Sequence, residues 1–207
     1  MDVRASDLLQ ANSIVWVEGP SDRLYINKWI ELWTDGKIKE GIHYQCMFYG
    51  GRLLAHISAD SPEEAVEPAV AILSINRNAA VIIDSDKDTL QDSINATKER
   101  IVEEIIQIDG ITWITDGKEI ENYIPSEVLS HYYSKPNLPA LGRFEKISDY
   151  LDRNVGPGIG DKFKSTKVEL AADICDILTK EQLQADTALA NRLDELCGAI
   201  KRWNRLE

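Results

Sequence analysis

Short apolar runs alternate with longer segments of helical periodicity along the first part of the chain. Four runs are short and apolar enough to be buried strands, at residues 13–17, 44–49, 79–83 and 111–114. Between them, residues 22–33, 63–75 and 94–108 carry apolar side chains at the spacing of helices. Strands that alternate with helices are typical of an α/β domain with a mainly parallel sheet flanked by helices. We predict such a domain over residues 13–125.

The pattern changes after Pro125, and residues 126–207 are predicted to form an irregular loop and a helical C-terminal extension. Pro136 and Pro139 indicate the loop, and helices are predicted at residues 144–153, 167–178 and 187–203. The glycine-rich residues 156–162 are predicted to be an irregular, flexible stretch. They lack the Gly-Lys-Ser/Thr signature of a Walker A phosphate loop.

The composition is that of an acidic globular protein. The 207 residues carry a formal net charge of −12, which disfavours a simple basic DNA-binding module. A nucleic-acid enzyme remains compatible with this charge, because bound divalent cations invert the local sign. No run approaches the roughly 20 apolar residues of a membrane span, and no signal peptide is evident. We therefore expect no membrane association and a cytoplasmic location.

The cysteines and histidines show no metal-binding pattern. The three cysteines are widely spaced, without a Cys-x-x-Cys pair, which indicates neither a zinc site nor a disulfide framework. We interpret them as small buried residues. The three histidines lack ligand spacing and are interpreted as surface or core residues. These six residues are Cys46, Cys175, Cys197, His43, His56 and His131.

Carboxylates follow two of the predicted strands. Glu18 and Asp22 come after the first strand, and Asp84 and Asp86 come after the third. Because the carboxyl ends of parallel strands meet at one edge, these four side chains are expected to form a cluster. Hard oxygen ligands suit Mg²⁺ or Mn²⁺. The alternative interpretations are a solvated loop glutamate, a helix-start aspartate stabilised by the helix dipole, and a polar turn.

Two further groups could complete such a site. Glu119 and Glu121 follow the fourth strand; they would share one face of an extended segment, but diverge by about 200° in a helix. The alternative is a helix start with two solvated acids. Of Lys162, Lys164 and Lys167, one facing the carboxylates could stabilise charge on a phosphoryl group. The alternative is a basic loop that neutralises an acidic protein.

Three motifs occur in order on these elements: Val-Glu-Gly-Pro-Ser-Asp at 17–22, Val-Ile-Ile-Asp-Ser-Asp at 81–86 and Glu-Ile-Glu-Asn-Tyr at 119–123. Together they resemble the TOPRIM domain of the OLD (overcoming lysogenization defect) family of nucleases, of which the Gabija anti-phage nuclease is a relative. Tyr49-Gly50-Gly51 and Ile75-Asn76-Arg77-Asn78 are similar to that family as well. The resemblance covers about residues 6–178.

The resemblance implies a nuclease with two divalent metal ions, acting on DNA as an endonuclease. Glu18 would be a metal ligand or general base, and Asp22, Asp84 and Asp86 would be ligands. Glu121 is the first choice for a further ligand and Glu119 is the second. Lys167 is similar to the family's catalytic lysine, with Lys162 and Lys164 as competitors.

The resemblance also implies partners. OLD-type proteins carry an ATPase domain before TOPRIM, so residues 1–12 are expected to be a linker from a missing or separate ATPase domain. The expected partners are DNA, an ATPase domain or subunit, and a second copy of the chain, in anti-phage defence. The alternative is a regulatory, partner-binding TOPRIM subunit with little catalysis of its own. A weaker alternative is a primase or a topoisomerase, the latter using Tyr123 or Tyr132.

Overall fold

Four parallel strands form the sheet at the centre of the protein. The computed structural model describes residues 11–49 and 76–206. Within these ranges the strands are β1 (Ile14–Val17), β2 (Gln45–Phe48), β3 (Ala79–Ile83) and β4 (Ile111–Ile114), in the order β2-β1-β3-β4. All three neighbouring pairs are parallel, which confirms the predicted α/β class. The helix predicted at 63–75 and most of the predicted linker at 1–12 lie outside the described residues.

Seven α-helices and one 3₁₀ helix surround this sheet in the described part of the chain. They are α1 (Pro20–Trp33), α2 (Ala96–Gln107), the 3₁₀ helix (Ile120–Tyr123), α3 (Ser126–Tyr132), α4 (Ile147–Asn154), α5 (Ile159–Ile177), α6 (Lys180–Ala185) and α7 (Thr187–Asn204). The helices predicted at 22–33, 94–108 and 187–203 correspond to α1, α2 and α7. The short α3 and α6 were not predicted, because neither is long enough to show a helical period.

Alternate residues of the strands face two separate apolar cores. Val15, Val17 and Ile82 pack into the larger core with α1, α5 and α7. Ile14 and Trp16 face the smaller core, which includes Ile101 and Ile105 of α2. Both faces of the central strands are therefore buried, as expected for apolar runs in a parallel sheet.

An aromatic cluster fills the larger core below the carboxyl ends of the strands. Trp29 of α1 stacks on Trp113 of β4 at a centroid distance of 6.1 Å, and Tyr123 meets both rings edge-on. Tyr25 stacks on the other side of Trp29 at 5.8 Å. Such aromatic pairs contribute about 0.5–1.5 kcal/mol each beyond their buried area. The cluster joins α1, β4 and the 3₁₀ helix into one rigid support.

The glycine-rich stretch corrects one prediction. Residues 159–162 are helical, since α5 begins at Ile159 after Gly158, whose φ of 82° favours glycine. At Gly160 an added Cβ would lie 2.2 Å from the carbonyl oxygen of Ser148, and the Gly160 amide donates to Asp152 Oδ1 at 2.8 Å. Glycine at this position therefore serves the close packing of α5 on α4. The prediction of an irregular, flexible stretch was wrong for these residues.

Helix α5 is interrupted at Thr166, whose φ of −121° and ψ of 23° are not helical. The hydroxyls of Ser165 and Thr166 donate to the Lys162 carbonyl at 2.8 and 3.0 Å. The helix predicted at 167–178 corresponds to the second half of α5. Lys167 is the first residue after the break, so the break determines where its side chain points.

All three cysteines are buried and free, as predicted. Burial raises the pKa of the Cys46 thiol well above its ordinary value and those of Cys175 and Cys197 to about 12. His43 accepts a hydrogen bond from the Lys39 amide at Nδ1 (2.9 Å). No helix within residues 11–49 and 76–206 is both long and apolar enough to cross a membrane.

Candidate functional site

The strand order reverses between β1 and β3. From β1 the chain continues to β2 on one side, whereas β3 lies on the other side of β1. In open α/β sheets, such a reversal opens a crevice at the carboxyl ends of the two strands, and ligands bind there. Glu18 directly follows β1, and Asp84 directly follows β3. Two predicted site residues therefore lie at the position in the sheet that favours a binding site.

Asp22 lies in the first turn of α1, close to Glu18. It is 6% exposed; its Oδ2 accepts the Gly19 amide and its Oδ1 accepts the Ser21 hydroxyl, both at 3.1 Å. These bonds are those of a helix-start aspartate. A carboxylate has about four lone-pair sites, so Asp22 keeps acceptor capacity for a further ligand.

Asp84 enters the same acidic environment from β3. Burial raises the pKa of its carboxyl well above the ordinary value, and the negative charges of Glu121 and Asp22 raise it further. The next residue, Ser85, fixes this loop: its amide donates to Thr115 Oγ1 at 2.8 Å and its hydroxyl donates to the Gly117 carbonyl at 2.6 Å. The loop after β3 is thus tied to the loop after β4.

Asp86 points to a different cation than the other acids do. It has a φ of 54°, in the left-handed region, and its amide donates to the Lys118 carbonyl at 2.9 Å. Its carboxylate forms an ion pair with Lys98 of α2, whose ammonium also donates to the Asp84 carbonyl at 2.7 Å. Asp86 would have to share or leave this pair to become a metal ligand.

Lys98 is a site residue that the sequence reasoning missed. It is buried although it carries a charge. A signal was available: Lys98, Ile101 and Ile105 are spaced by three and four residues, so the lysine lies on the apolar face of a periodic helix. A charged residue on such a face requires a partner in the interior.

Glu121 is fully buried in the 3₁₀ helix, at 0% exposure. Its Oε1 lies 3.1 Å from the Lys167 ammonium, but the contact lacks the direction of a hydrogen bond, and neither carboxylate oxygen has a well-aligned donor within the described residues. Burial raises the Glu121 pKa to about 7, against the lowering effect of Lys167. Unsatisfied buried oxygens are uncommon, and these two can still accept a hydrogen bond or bind a cation.

Lys167 lies among the acids. Burial lowers its pKa, but the charges of Glu121, Asp22 and Asp84 outweigh this effect and raise the pKa above its usual range. Its ammonium is therefore held in the charged form by three carboxylates from three elements. The competing lysines are elsewhere: Lys164 pairs with Asp161 at 2.8 Å on the exposed surface, and Lys162 is also exposed.

Glu119 has a different environment from that of Glu121. Its Oε1 accepts the Ile147 amide at 2.7 Å, at the start of α4, and its own amide donates to Asn122 Oδ1 at 2.8 Å. Because the segment forms a 3₁₀ helix instead of an extended strand, the two glutamates do not share a face. The structure thus gives Glu119 a helix-capping contact.

Glu18 lies at the open rim of the site and is exposed. Desolvation by the surrounding protein raises the pKa of its carboxyl, and so does the charge of Asp22, whereas Lys167 and Lys98 lower it. Glu18 is therefore coupled to both lysines and remains accessible to solvent.

The donor chemistry fits Mg²⁺ or Mn²⁺, because every acidic residue of the site offers hard oxygens and those of Glu121 have no aligned donor in the described part of the chain. The spacing is wider than a metal requires. Within residues 11–49 and 76–206, no three acidic, histidine or cysteine side chains lie close enough to hold one ion as they stand. To bind a metal ion, these acids would therefore have to move closer together around the place where the Lys167 ammonium now lies.

Comparison with family models, with curated proteins and with solved structures finds no match for this chain. The similarity to TOPRIM domains of OLD-type nucleases therefore stays a prediction, supported by three motifs and compatible with the observed parallel sheet.

Proposed function

We propose that this chain is a Mg²⁺- or Mn²⁺-dependent nuclease of the TOPRIM type that hydrolyses phosphodiester bonds in DNA. The observation that carries the proposal is the position of the Lys167 ammonium, which lies 3.1 Å from Glu121 Oε1 and is attracted by the charges of Asp22 and Asp84. Asp22 and Asp84 follow the two strands at the reversal of strand order, and Glu121 follows the neighbouring strand β4. An acidic crevice with one lysine is suited to a phosphate and its counter-ions.

Asp22, Asp84 and Glu121 would hold the metal ions. Asp86 and Glu119 could join them only by giving up part of their contacts with Lys98 and with the Ile147 amide. When bound, the ions would polarise the scissile phosphate and lower the pKa of an attacking water. The metal ligands would thus be three acids, and two further acids could join them only after a change of contacts.

Glu18 is suited to act as the general base. Its raised pKa makes it a stronger base than an ordinary glutamate, and its exposed position gives water access. It would take the proton from the water as the new bond to phosphorus forms and the bond from phosphorus to the leaving oxygen breaks. Lys167 would stabilise the negative charge that develops on the phosphoryl oxygens.

Nicking of a supercoiled plasmid in Mg²⁺ or Mn²⁺ tests the proposal. The Asp84→Asn variant is expected to lose cutting, and so is the double variant Asp84→Ala with Asp86→Ala. The matched control is Asp88→Asn, because Asp88 lies in the same loop but pairs with Lys118 on the surface. Unchanged cutting by either site variant would contradict the assignment. Single-stranded DNA and RNA substrates, run in parallel, define the substrate class.

One observation favours a second function, that of a regulatory or partner-binding subunit. The buried Glu121 already lies 3.1 Å from a cation, the Lys167 ammonium, so the acidic cluster can persist without metal. Calorimetric titration with Mn²⁺ separates the two functions. Saturable binding that Asp84→Asn abolishes supports the nuclease, whereas a chain that binds no Mn²⁺ supports the partner-binding subunit. An ATPase domain or subunit as the partner remains part of the proposal in either case.

A further inference from the structure

Two electrostatic effects make the position of the Lys98 charge unfavourable. Its side chain is only 7% exposed, and burial of a charge is unfavourable without strong compensation. It also lies in the first turn of α2, where the helix dipole favours negative charge. A lysine that persists in this position must be compensated by its contacts.

Among the described residues, the Lys98 ammonium contacts the segment that carries two of the predicted ligands, Asp84 and Asp86. The ammonium donates to the main-chain oxygen of Asp84 at 2.7 Å and pairs with the carboxylate of Asp86. Asp86 needs such a partner, because a non-glycine residue at a φ of 54° is held in an uncommon conformation. Its side chain is 67% exposed, so water alone could solvate the charge. The ion pair with Lys98 therefore serves to orient the Asp86 side chain more than to solvate its charge.

Lys98 also acts on the rim of the site, since its charge lowers the pKa of Glu18. Lys98 and Lys167 thus approach the acids from two helices, α2 and α5. They differ in what they contact: Lys98 binds the backbone and an outer carboxylate, whereas Lys167 contacts the buried Glu121.

We propose that Lys98 is a positioning residue, which fixes residues 84–86 so that the Asp84 carboxylate faces the crevice. The part of the inference that concerns metal affinity rests on the proposed function. The part that concerns the loop does not, and it can be tested on the protein without metal.

The test compares wild type with Lys98→Met, which keeps the apolar stem and removes the charge and its donors. Lys118→Met is the matched control, because Lys118 contacts the same loop at the Asp86 carbonyl (3.3 Å) and at Asp88 (2.6 Å). In the presence of EDTA, amide hydrogen exchange of Ser85 and Asp86 is expected to accelerate by about tenfold or more in Lys98→Met, since hydrogen bonds to charged groups contribute that much to local closure. In Lys118→Met the acceleration at these two amides is expected to be smaller, because the Lys118 side chain contacts the loop only at and after the Asp86 carbonyl and its own carbonyl still accepts the Asp86 amide.

Mn²⁺ titration then distinguishes positioning from simple electrostatics, because the two predict opposite signs. Loss of a nearby positive charge alone would tighten Mn²⁺ binding. Loss of a residue that orients the ligands is expected to weaken it by about 10–100-fold. Unchanged or tighter binding together with unchanged exchange would overturn the inference and leave the proposed function intact.

Failure of the proposed function gives a different result. If wild type binds no Mn²⁺, the nuclease proposal falls, and the exchange rates alone decide whether Lys98 holds the loop. If Lys98→Met does not fold, Lys98→Gln, whose amide can still donate a hydrogen bond, is measured by the same criteria. Unfolding of both variants would make Lys98 a folding residue and overturn the positioning role.

Discussion

The two sides of the candidate site differ in how far their polar groups are already bonded. On the side of β3, the loop at residues 84–86 is held at several points: Ser85 bonds Thr115 and Gly117, and Lys98 binds the Asp84 carbonyl and pairs with Asp86. On the side of the 3₁₀ helix, the Glu121 oxygens lack aligned donors among the described residues, and Lys167 lies 3.1 Å from Oε1. The first side is a fixed scaffold. The second side can still bind a ligand, as a site that accepts a phosphate or a cation must.

Lys167→Met should produce the largest effect, because it removes the cation from the open side. We expect the plasmid-nicking rate to fall by about 10²–10³-fold, as for the loss of one transition-state donor. Lys180→Met is the control, since Lys180 pairs with Asp35 beyond the far end of α1. Full activity of Lys167→Met, with loss in Lys162→Met or Lys164→Met, would transfer the catalytic role to one of those lysines.

The second prediction concerns pH and the buried Glu121. Its folded pKa of about 7 lies above the ordinary value of 4.5, so the folded state retains the proton between these values and the unfolded state does not. Stability from this group is therefore complete below about pH 4.5 and is lost as the pH rises through 7. The loss amounts to about 3 kcal/mol. Burial shifts the pKa values of Asp84 and Glu18 in the same direction.

Urea unfolding in EDTA at pH 5, 6, 7 and 8 measures this loss. Wild type should lose stability across the series, and Glu121→Gln should show a flatter profile. The control is Glu103→Gln, a change at an exposed glutamate of α2, which should keep the wild-type slope. Parallel slopes for wild type and Glu121→Gln would mean that Glu121 stays ionised, and that the open side is better solvated than the structure indicates.

The third prediction concerns the support below Lys167. Gly160→Ala places a methyl group against the Ser148 carbonyl, and overpacking of this kind costs about 1–3 kcal/mol. Gly156→Ala is the control, because its Cβ would meet only Ile159 Cγ1, at 3.9 Å. The midpoints of urea unfolding give the comparison. Equal stability of the two variants would show that α4 and α5 separate easily, and that the first half of α5 does not fix the break at Thr166.

The smallest effect is expected at the start of α2, on the scaffold side. The Asn95 side chain accepts the Lys98 amide at 3.0 Å and caps this helix. Asn95→Ala should lower the free energy of unfolding by about 1 kcal/mol, whereas Asn95→Ser should keep most of it. A loss of several kcal/mol in Asn95→Ala would indicate that the cap, more than the ion pair with Asp86, holds Lys98 in place.

The strands and long helices could be predicted because each carries its own signal. The run Ala79–Ile83 is apolar throughout, and α7 keeps a helical period over 18 residues. The arrangement of Glu18 and Asp84 could also be predicted, because parallel strands bring their carboxyl ends together. The predicted roles of these residues as ligands or base remain predictions.

Other features depend on contacts between segments that are distant along the chain, and a local sequence pattern does not predict such contacts. In the sequence Gly160 looks like a flexible loop glycine, but in the structure it packs against the Ser148 carbonyl. Glu119 and Glu121 look equivalent in sequence, but Glu121 is fully buried beside Lys167, whereas Glu119 accepts the Ile147 amide. Lys98 differs from these cases: its place on the apolar face of α2 indicates a buried partner, but the partners themselves are 12 and 14 residues away along the chain.

The burial of every thiol has a practical consequence for following how this fold opens. Cys46 lies on β2, Cys175 on α5 and Cys197 on α7, and each is free and shielded. An alkylating reagent can therefore modify them only when the surrounding element opens. Pulsed alkylation followed by mass spectrometry would time the opening of the sheet, of the helix that carries Lys167 and of the C-terminal helix in one sample, without introducing a label.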